Sequence, residues 1–268
     1  MSGPAAGEPV SRFLEVFARA PDELLDRQTL SIPGLDGDEA SFLAAADLDY
    51  DVDRHDAFEI HPAETALLVI DLQEDFVRPT SPMCQPEALR QLARVRSLID
   101  VCRRLAVPPV FTAATYLVER LNDTPAYCAP VAAGRLRAGS AGTEIAAELG
   151  VCPDEHVIRT KHTYDAFHGT ELDSLLRSWG VRTVIVCGTM TNYCCEATAR
   201  GAFDRGYHVV FGSDVTATDS ALSHVATLRT MRRGYARVMD AASIMEALRG
   251  SDRMYERATR ARVAAGEG

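Results

Sequence analysis

Three residues of types that cooperate in hydrolytic chemistry each follow a short apolar run of the sequence. Asp71 ends the run ALLVID, Lys161 follows HVIRT, and Cys194 lies in GTMTNYCCEAT, shortly after RTVIVC. A thiolate is a nucleophile, a carboxylate can accept the proton that a thiol loses, and an ammonium group can hold that carboxylate in place. The three residues together therefore predict a nucleophilic mechanism of hydrolysis.

Lys161 is unusual because it is the only lysine in a chain with 28 basic residues. An ammonium group is a compact charge on a flexible stem, and a planar guanidinium group cannot replace it. A composition that uses arginine everywhere else indicates that position 161 requires a lysine. Chance in an arginine-biased protein is the alternative explanation.

The elements that must position these residues alternate between apolar, β-rich runs and amphipathic stretches. The predicted strands cover 66–71, 108–114, 156–160, 182–187, 208–213 and 236–240. The predicted helices cover 85–105, 170–179, 192–206, 219–233 and 242–249. Continuous apolar strands that alternate with helices are typical of parallel sheets buried on both faces. The sequence thus predicts an α/β fold with three layers, α/β/α, around a doubly wound, mainly parallel six-stranded sheet.

In such a sheet, ligands bind at the carboxyl ends of the strands, near the point where the strand order reverses. Asp71, Lys161 and Cys194 all lie just after predicted strands, so we expect them to lie close together. Cys194 also falls where a predicted helix begins, and the dipole and unpaired N–H groups of a helix N-terminus favour a thiolate. The same N–H groups can stabilise an oxyanion.

Composition divides the chain into unequal parts. Residues 1–60 hold 14 acidic and 4 basic side chains, whereas the net charge of the whole chain is −10, so the remainder is neutral. We predict an acidic N-terminal extension over 1–60, partly helical, that acts as a lid or an oligomer arm. The domain with the three residues is predicted over 61–250, and a C-terminal helix or tail over 251–268.

Charge and hydropathy also limit the location and the partners of the chain. An acidic extension on a neutral body predicts no binding to nucleic acid, and no binding to anionic membranes. No apolar run approaches the roughly 20 residues that a membrane-spanning helix needs. The N-terminus lacks the features of a secretory signal, and the seven cysteines are odd in number and scattered, so we expect a cytoplasmic protein with reduced thiols.

Three segments, in order, resemble the signature regions of isochorismatase-like cysteine hydrolases. They are VIDLQEDF at 69–76, TKHTYDAFHGTELDSLL at 160–176 and CGTMTNYCCEATARGAFDRGY at 187–207. The similarity extends over about 63–249. The resemblance implies the same α/β fold, and it implies that this chain assembles as a homodimer or homotetramer.

The resemblance also implies a role for individual residues. It makes Asp71 the general base, Lys161 its partner and Cys194 the nucleophile. It further implies a cis peptide bond between Thr189 and Met190, and an oxyanion hole formed by the backbone N–H groups of Met190 and Cys194.

The thiol at position 194 separates branches of this family. Members that cleave the vinyl ether of isochorismate carry a non-nucleophilic residue there, so Cys194 predicts the amidohydrolase branch, similar to N-carbamoylsarcosine and ureidoacrylate amidohydrolases. The expected reaction is hydrolysis of a C–N bond in a small amide, ureido or carbamoyl compound through a thioester. The alternatives are a vinyl-ether hydrolase that retains a thiol, a catalytically idle oligomeric scaffold, and Cys195 in place of Cys194 as nucleophile.

The motif loops provide candidates for binding the small-molecule substrate. Nicotinamidases of this family carry an Asp-x-His metal motif after the second strand, whereas this chain continues with TYLVERLND, which predicts no metal and no cofactor. For the aromatic candidates, core packing is an equal alternative, and a lone histidine more often has a structural role. The candidates are Phe76, Tyr116, Phe167, His168, Asn192 and Tyr193.

Overall fold

The computed structural model describes residues 58–116 and 134–251 of the chain. Within them, one six-stranded sheet has the strand order β3-β2-β1-β4-β5-β6, and every neighbouring pair is parallel. The strands are β1 (Thr65–Ile70), β2 (Pro109–Thr112), β3 (His156–Ile158), β4 (Thr183–Thr189), β5 (His208–Ala217) and β6 (Arg237–Met239). The predicted doubly wound parallel sheet is confirmed.

Helices connect the strands of this sheet. They are α1 (Glu74–Val77), α2 (Pro86–Arg104), α3 (Leu172–Ser178), α4 (Glu196–Asp204), α5 (Ala221–Gly234) and α6 (241–251). A π-helical turn, Thr191–Cys195, leads directly into α4. Five helices match predicted ones, whereas α1 was missed because four residues are too few to show a helical period.

The sheet is buried on both faces, as the continuous apolar runs indicated. Leu67 and Val69 of β1 belong to a core that includes residues of α2 and α6. Leu68 and Ile70 belong to the opposite core, which includes residues of α3, α4 and α5. Side chains alternate between the two faces along a strand, so a strand between two helical layers must be apolar at every position. These two cores give the three-layer architecture.

The strand order reverses between β1 and β4, which lie side by side at the centre of the sheet. Asp71 follows β1 and Met190 follows β4, so both lie at the edge where this fold binds ligands. Gln73 is fully buried at the same edge, where its side chain donates to the carbonyl oxygens of Ala114 and Thr143 and accepts from the Ala114 amide. It thereby connects the segments that follow β1 and β2.

Gly188, near the end of β4, allows β1 and β4 to approach closely at the reversal point. Its φ is +129°, and a Cβ atom added there would lie 2.0 Å from the carbonyl oxygen of Ile70. The neighbouring atom is backbone and cannot rotate away, so only glycine fits. This position therefore holds the ends of the two strands that carry Asp71 and Met190.

We expect the Gly188→Ala variant to lose about 3 kcal/mol of unfolding free energy or more, because it combines an unfavourable φ with a backbone clash. Urea unfolding measures the loss. Gly180→Ala is the matched control, since Gly180 has φ +71° and no atom lies within 4 Å of the added Cβ. That control should lose only about 1 kcal/mol, from the backbone conformation alone. Equal losses in the two variants would contradict the importance of the close approach.

The domain boundaries stay predictions. The acidic extension over 1–60 lies outside the described residues except for its last three, and the tail over 251–268 lies outside them except for residue 251. Among the described helices, none has the length and apolar character that a membrane span requires.

Candidate active site

The structure brings Asp71, Lys161 and Cys194 together at the reversal point of the sheet. The Lys161 Nζ atom lies 2.6 Å from Asp71 Oδ2 and 3.3 Å from Cys194 Sγ. Asp71 and Lys161 are fully buried, and Cys194 is 7% exposed. Segments after three different strands supply the three side chains, as expected for a site at the carboxyl edge of a parallel sheet.

Asp71 is held by contacts on both carboxylate oxygens. Oδ1 accepts a hydrogen bond of 2.6 Å from the Thr112 hydroxyl, while Oδ2 accepts from Lys161. The Asp71 amide donates to the carbonyl and the hydroxyl oxygen of Thr112, and the Asp71 φ of +48° turns the chain out of β1. Thr112, at the end of β2, was missed in the sequence because nothing but its place in a predicted strand marks it.

Lys161 stays protonated in this environment. Burial alone lowers the pKa of an ammonium group, but the charge of Asp71, the electrostatic interaction with Cys194 and the hydrogen bonds to both outweigh burial, so the pKa of Lys161 is raised. A buried charge needs such a partner because the cost of removing it from water is large. The ammonium group therefore forms a fixed positive centre between the carboxylate and the sulfur.

Cys194 lies within the π-helical turn Thr191–Cys195, at the start of α4. Burial raises the pKa of its thiol to about 12; Lys161 opposes this shift, and the charge of Asp71 adds to it. The thiol is therefore protonated at neutral pH, so it needs a base to become a nucleophile. A neighbouring carboxylate can accept such a proton, and the role of Asp71 as this base stays a prediction.

The backbone of the turn is arranged around Met190. The peptide bond between Thr189 and Met190 is cis, as the resemblance implied. The amides of Tyr193 and Cys195, on either side of the Cys194 amide, both donate to the Met190 carbonyl oxygen. The role of the Met190 and Cys194 amides as an oxyanion hole stays a prediction.

Cys195 differs from Cys194 in its surroundings. It is fully buried in the core that includes residues of α3, α4 and α5, and burial raises the pKa of its thiol well above the usual value. The contact with Lys161 Nζ belongs to Cys194. The geometry therefore favours Cys194 over the alternative nucleophile.

Three of the six candidate substrate-binding residues pack in the cores. Phe76, 5% exposed, and Tyr116, 9% exposed, belong to the core with α2 and α6, and Tyr116 also forms a backbone bridge with Arg137. Phe167, 4% exposed, belongs to the opposite core, stacks on Tyr207 and lies beneath the guanidinium group of Arg205. These positions fit the core-packing alternative, and a role in binding stays a prediction.

The other three candidates lie in a loop or in the π-helical turn. The His168 ring lies 6.0 Å from that of His162. The side-chain oxygen of Asn192 accepts a hydrogen bond of 2.6 Å from the Thr218 hydroxyl.

Tyr193 is 42% exposed, and it directly precedes Cys194 in the chain. Its ring lies 5.4 Å from that of Tyr164. An exposed aromatic ring is suited to contact a planar group, but substrate binding by Tyr193 stays a prediction like the others.

Over 58–116 and 134–251, no three side chains of His, Cys, Asp or Glu cluster closely enough to hold an ion. That the chain uses no metal and no cofactor stays a prediction.

Comparison with known protein families gives one domain match. The isochorismatase domain matches residues 65–243, which include the six strands and all three residues of the site. Nicotinamidase 3 of Arabidopsis thaliana is 37% identical over 189 residues, which cover 69% of this chain and 89% of that protein.

Solved structures agree with the fold. A cysteine hydrolase from Pseudomonas syringae has a TM-score of 0.68 at 26% identity and covers 72% of this chain and 96% of its own. N-carbamoylsarcosine amidase from Thermoplasma acidophilum has a TM-score of 0.56 at 27% identity, over 66% of this chain and 96% of its own. The similarity extends to nearly the full length of both proteins.

Proposed function

The chain belongs to the isochorismatase family, and on this premise we propose that it hydrolyses a C–N bond of a small amide, ureido or carbamoyl compound through a thioester on Cys194. Relatives with amidase names support C–N hydrolysis as the type of reaction. The observation that carries the proposal is the contact of Lys161 with both Asp71 and Cys194 in a nearly closed site.

The first half of the reaction forms the thioester. Asp71 accepts the thiol proton of Cys194 as the sulfur attacks the substrate carbonyl carbon, and a tetrahedral oxyanion results. The backbone N–H groups of Met190 and Cys194 stabilise this oxyanion, and one such donor contributes about 3 kcal/mol in comparable enzymes. Asp71 then gives its proton to the departing nitrogen, so the C–N bond breaks and the amine or ammonia leaves.

The second half consumes one water molecule. Asp71 accepts a proton from the water as its oxygen attacks the thioester carbon, and the collapse of the second tetrahedral intermediate breaks the C–S bond. The acid leaves, and the proton on Asp71 returns to the sulfur of Cys194. Atoms and protons are thus restored to the starting state.

Lys161 supports both halves without transferring a proton. Its raised pKa keeps it cationic throughout, because burial is outweighed by the charges beside it. The ammonium group orients Asp71 through the 2.6 Å contact and stabilises negative charge as it develops on the sulfur. An arginine could not take the same place, since its planar fork needs more room.

The names of the relatives suggest the kinds of substrate to test. Nicotinamidase 3 is named for a primary amide, and N-carbamoylsarcosine amidase for a carbamoyl group. We propose a small compound of one of these kinds because the reacting thiol is only 7% exposed. The burial of Cys194, rather than a specific contact, supports this limit.

The test is a panel of small primary amides, ureido acids and N-carbamoyl amino acids, with released ammonia measured by a coupled assay. At least one compound should release ammonia at a rate that is proportional to enzyme concentration. Isochorismate is included as the vinyl-ether arm of the panel. Cleavage of isochorismate without activity on any C–N compound would contradict the proposal, and inactivity on the whole panel would favour the idle scaffold.

A further inference from the structure

A second set of polar contacts reaches the turn of Cys194 from α5. The Nδ1 atom of His224 lies 2.9 Å from the hydroxyl oxygen of Thr191, and its Nε2 atom lies 2.9 Å from the carbonyl oxygen of Ser213. Thr191 is fully buried and is the first residue of the π-helical turn, whereas Ser213 belongs to β5. His224 thus connects the central sheet to the turn, and the reaction described above does not use it.

The contacts determine which nitrogen of His224 carries the proton. A carbonyl oxygen only accepts hydrogen bonds, so Nε2 must be the N–H that donates to Ser213. In the neutral ring, Nδ1 is then an acceptor, and the Thr191 hydroxyl must donate to it. The ring of His224 therefore donates a hydrogen bond to the sheet through Nε2 and accepts one from the turn through Nδ1.

The electrostatic surroundings keep this ring neutral. Burial lowers the pKa of His224, while the hydrogen bond to Ser213 and the charge of Glu87 on α2 oppose that shift without reversing it. A protonated ring would present two donors and leave the hydrogen of the Thr191 hydroxyl without this acceptor. The neutral form is therefore the one that fits both contacts.

Thr191 is held by two of its polar groups, and this matters for the geometry of the turn. Its carbonyl oxygen accepts from the Glu196 amide, and its hydroxyl is bound by His224. Turns of π-helical geometry are rare and are frequently found at functional sites. The two contacts of Thr191 fix the first residue of this turn. Cys194 is the fourth residue of this turn, and an error of about 1 Å in a reacting group can cost about a hundredfold in rate.

We propose that His224 is a positioning residue for Cys194: through the Thr191 hydroxyl it holds the turn that places the thiol beside Lys161. The inference rests on the proposed function, because it assumes that Cys194 is the nucleophile. His224 itself contacts neither Asp71 nor Lys161 in any hydrogen bond that the structure describes, so its effect passes through the turn.

Four variants separate the two contacts of His224, with kcat and KM measured on a substrate from the panel. His224→Ala removes both contacts, and we expect kcat to fall about tenfold while KM stays within twofold. In His224→Asn the side-chain oxygen replaces Nδ1 as the acceptor from Thr191, so this variant should keep at least a third of kcat. In His224→Gln the amide replaces only Nε2, so kcat should fall as in His224→Ala. Thr191→Val should match His224→Ala.

The double variant tests whether the two residues act together. If His224 acts through the Thr191 hydroxyl, His224→Ala with Thr191→Val should lose about tenfold, like each single variant, rather than about a hundredfold. Thr227→Val is the matched control. The hydroxyl of Thr227, which also lies on α5, donates a hydrogen bond of 3.0 Å to the Glu196 side chain rather than to a residue of the turn. This variant also removes a partly buried hydrogen bond of α5, yet its kcat should stay within twofold of the wild type.

The results that would overturn the role of His224 differ from those that would overturn the proposed function. Multiplying losses in the double variant, equal losses in the Asn and Gln variants, or an unchanged kcat in His224→Ala would each overturn the positioning role. An active Cys194→Ala variant would instead overturn the nucleophile on which the inference rests. Urea unfolding of every variant separates a loss of kcat from a loss of folded protein. If a His224 variant does not fold, Thr191→Val still tests the same contact from its other partner.

Discussion

The Cys194→Ala variant should lose at least about four orders of magnitude in kcat on any substrate that the wild type hydrolyses, because removal of a nucleophile leaves only binding and oxyanion stabilisation. The side chain is small and 7% exposed, so the fold should remain stable. Ammonia release under substrate saturation, with the circular dichroism of both proteins compared, gives the measurement.

Cys195→Ala is the matched control for this loss. It removes the same atom from the adjacent residue, which is fully buried in the core rather than beside Lys161. We expect a stability loss of about 1 kcal/mol from the small cavity and a kcat within threefold of the wild type. A reversed result, with Cys195→Ala inactive and Cys194→Ala active, would assign the nucleophile to Cys195.

The Lys161→Met variant should have the largest effect on stability. Methionine replaces the stem but leaves the fully buried Asp71 carboxylate without its counter-ion, and the loss of one partner of a buried ion pair costs about 3 to 5 kcal/mol. Urea unfolding of the variant and of the wild type at neutral pH measures this loss of stability.

Asp71→Asn in the Lys161→Met background tests the electrostatic explanation. The double variant has no buried charge at this pair, so it should recover most of the stability that Lys161→Met loses. Its hydrolysis should remain abolished, because neither the base nor the ammonium group is present. If the double variant were as unstable as Lys161→Met, lost packing rather than an unpaired charge would explain the deficit.

The fold could be predicted from the sequence because its strands lie between two helical layers. The run ALLVI at 66–70 is apolar at every position, because neighbouring side chains such as Leu67 and Leu68 enter different cores, and such runs are visible without a structure. The predicted ends were less accurate: β2 covers Pro109–Thr112 rather than 108–114, because a buried run can continue into the residues after a strand. The short α1 gave no periodic signal.

The part of the site that the sequence predicts consists of residues whose side chains carry reactive or charged groups. Asp71, Lys161 and Cys194 stand after strands, and Lys161 is marked further as the only lysine. Thr112 and His224 were missed because they act through neighbours that are distant in the chain, 41 positions from Asp71 and 33 from Thr191. A threonine in a strand and a histidine in a helix are common in sequences, so neither indicates a site until the structure shows which residues it contacts.

The π-helical turn Thr191–Cys195 shows the same limit for the backbone. A helix was predicted over 192–206, and the π-helical form of its first turn depends on the Met190 carbonyl accepting from two amides. Residue propensities do not distinguish this form from an ordinary α-helical turn. The geometry that presents Cys194 therefore became visible only in the structure.

A rapid acid quench during turnover, followed by mass spectrometry of the digested protein, tests the thioester on Cys194 most directly. We expect an adduct with the mass of the substrate's acyl or carbamoyl group on the peptide that contains Cys194. The adduct should disappear after the substrate is exhausted and should be absent in Cys194→Ala. An adduct on another residue, or wild-type turnover by Cys194→Ala, would contradict the thioester mechanism.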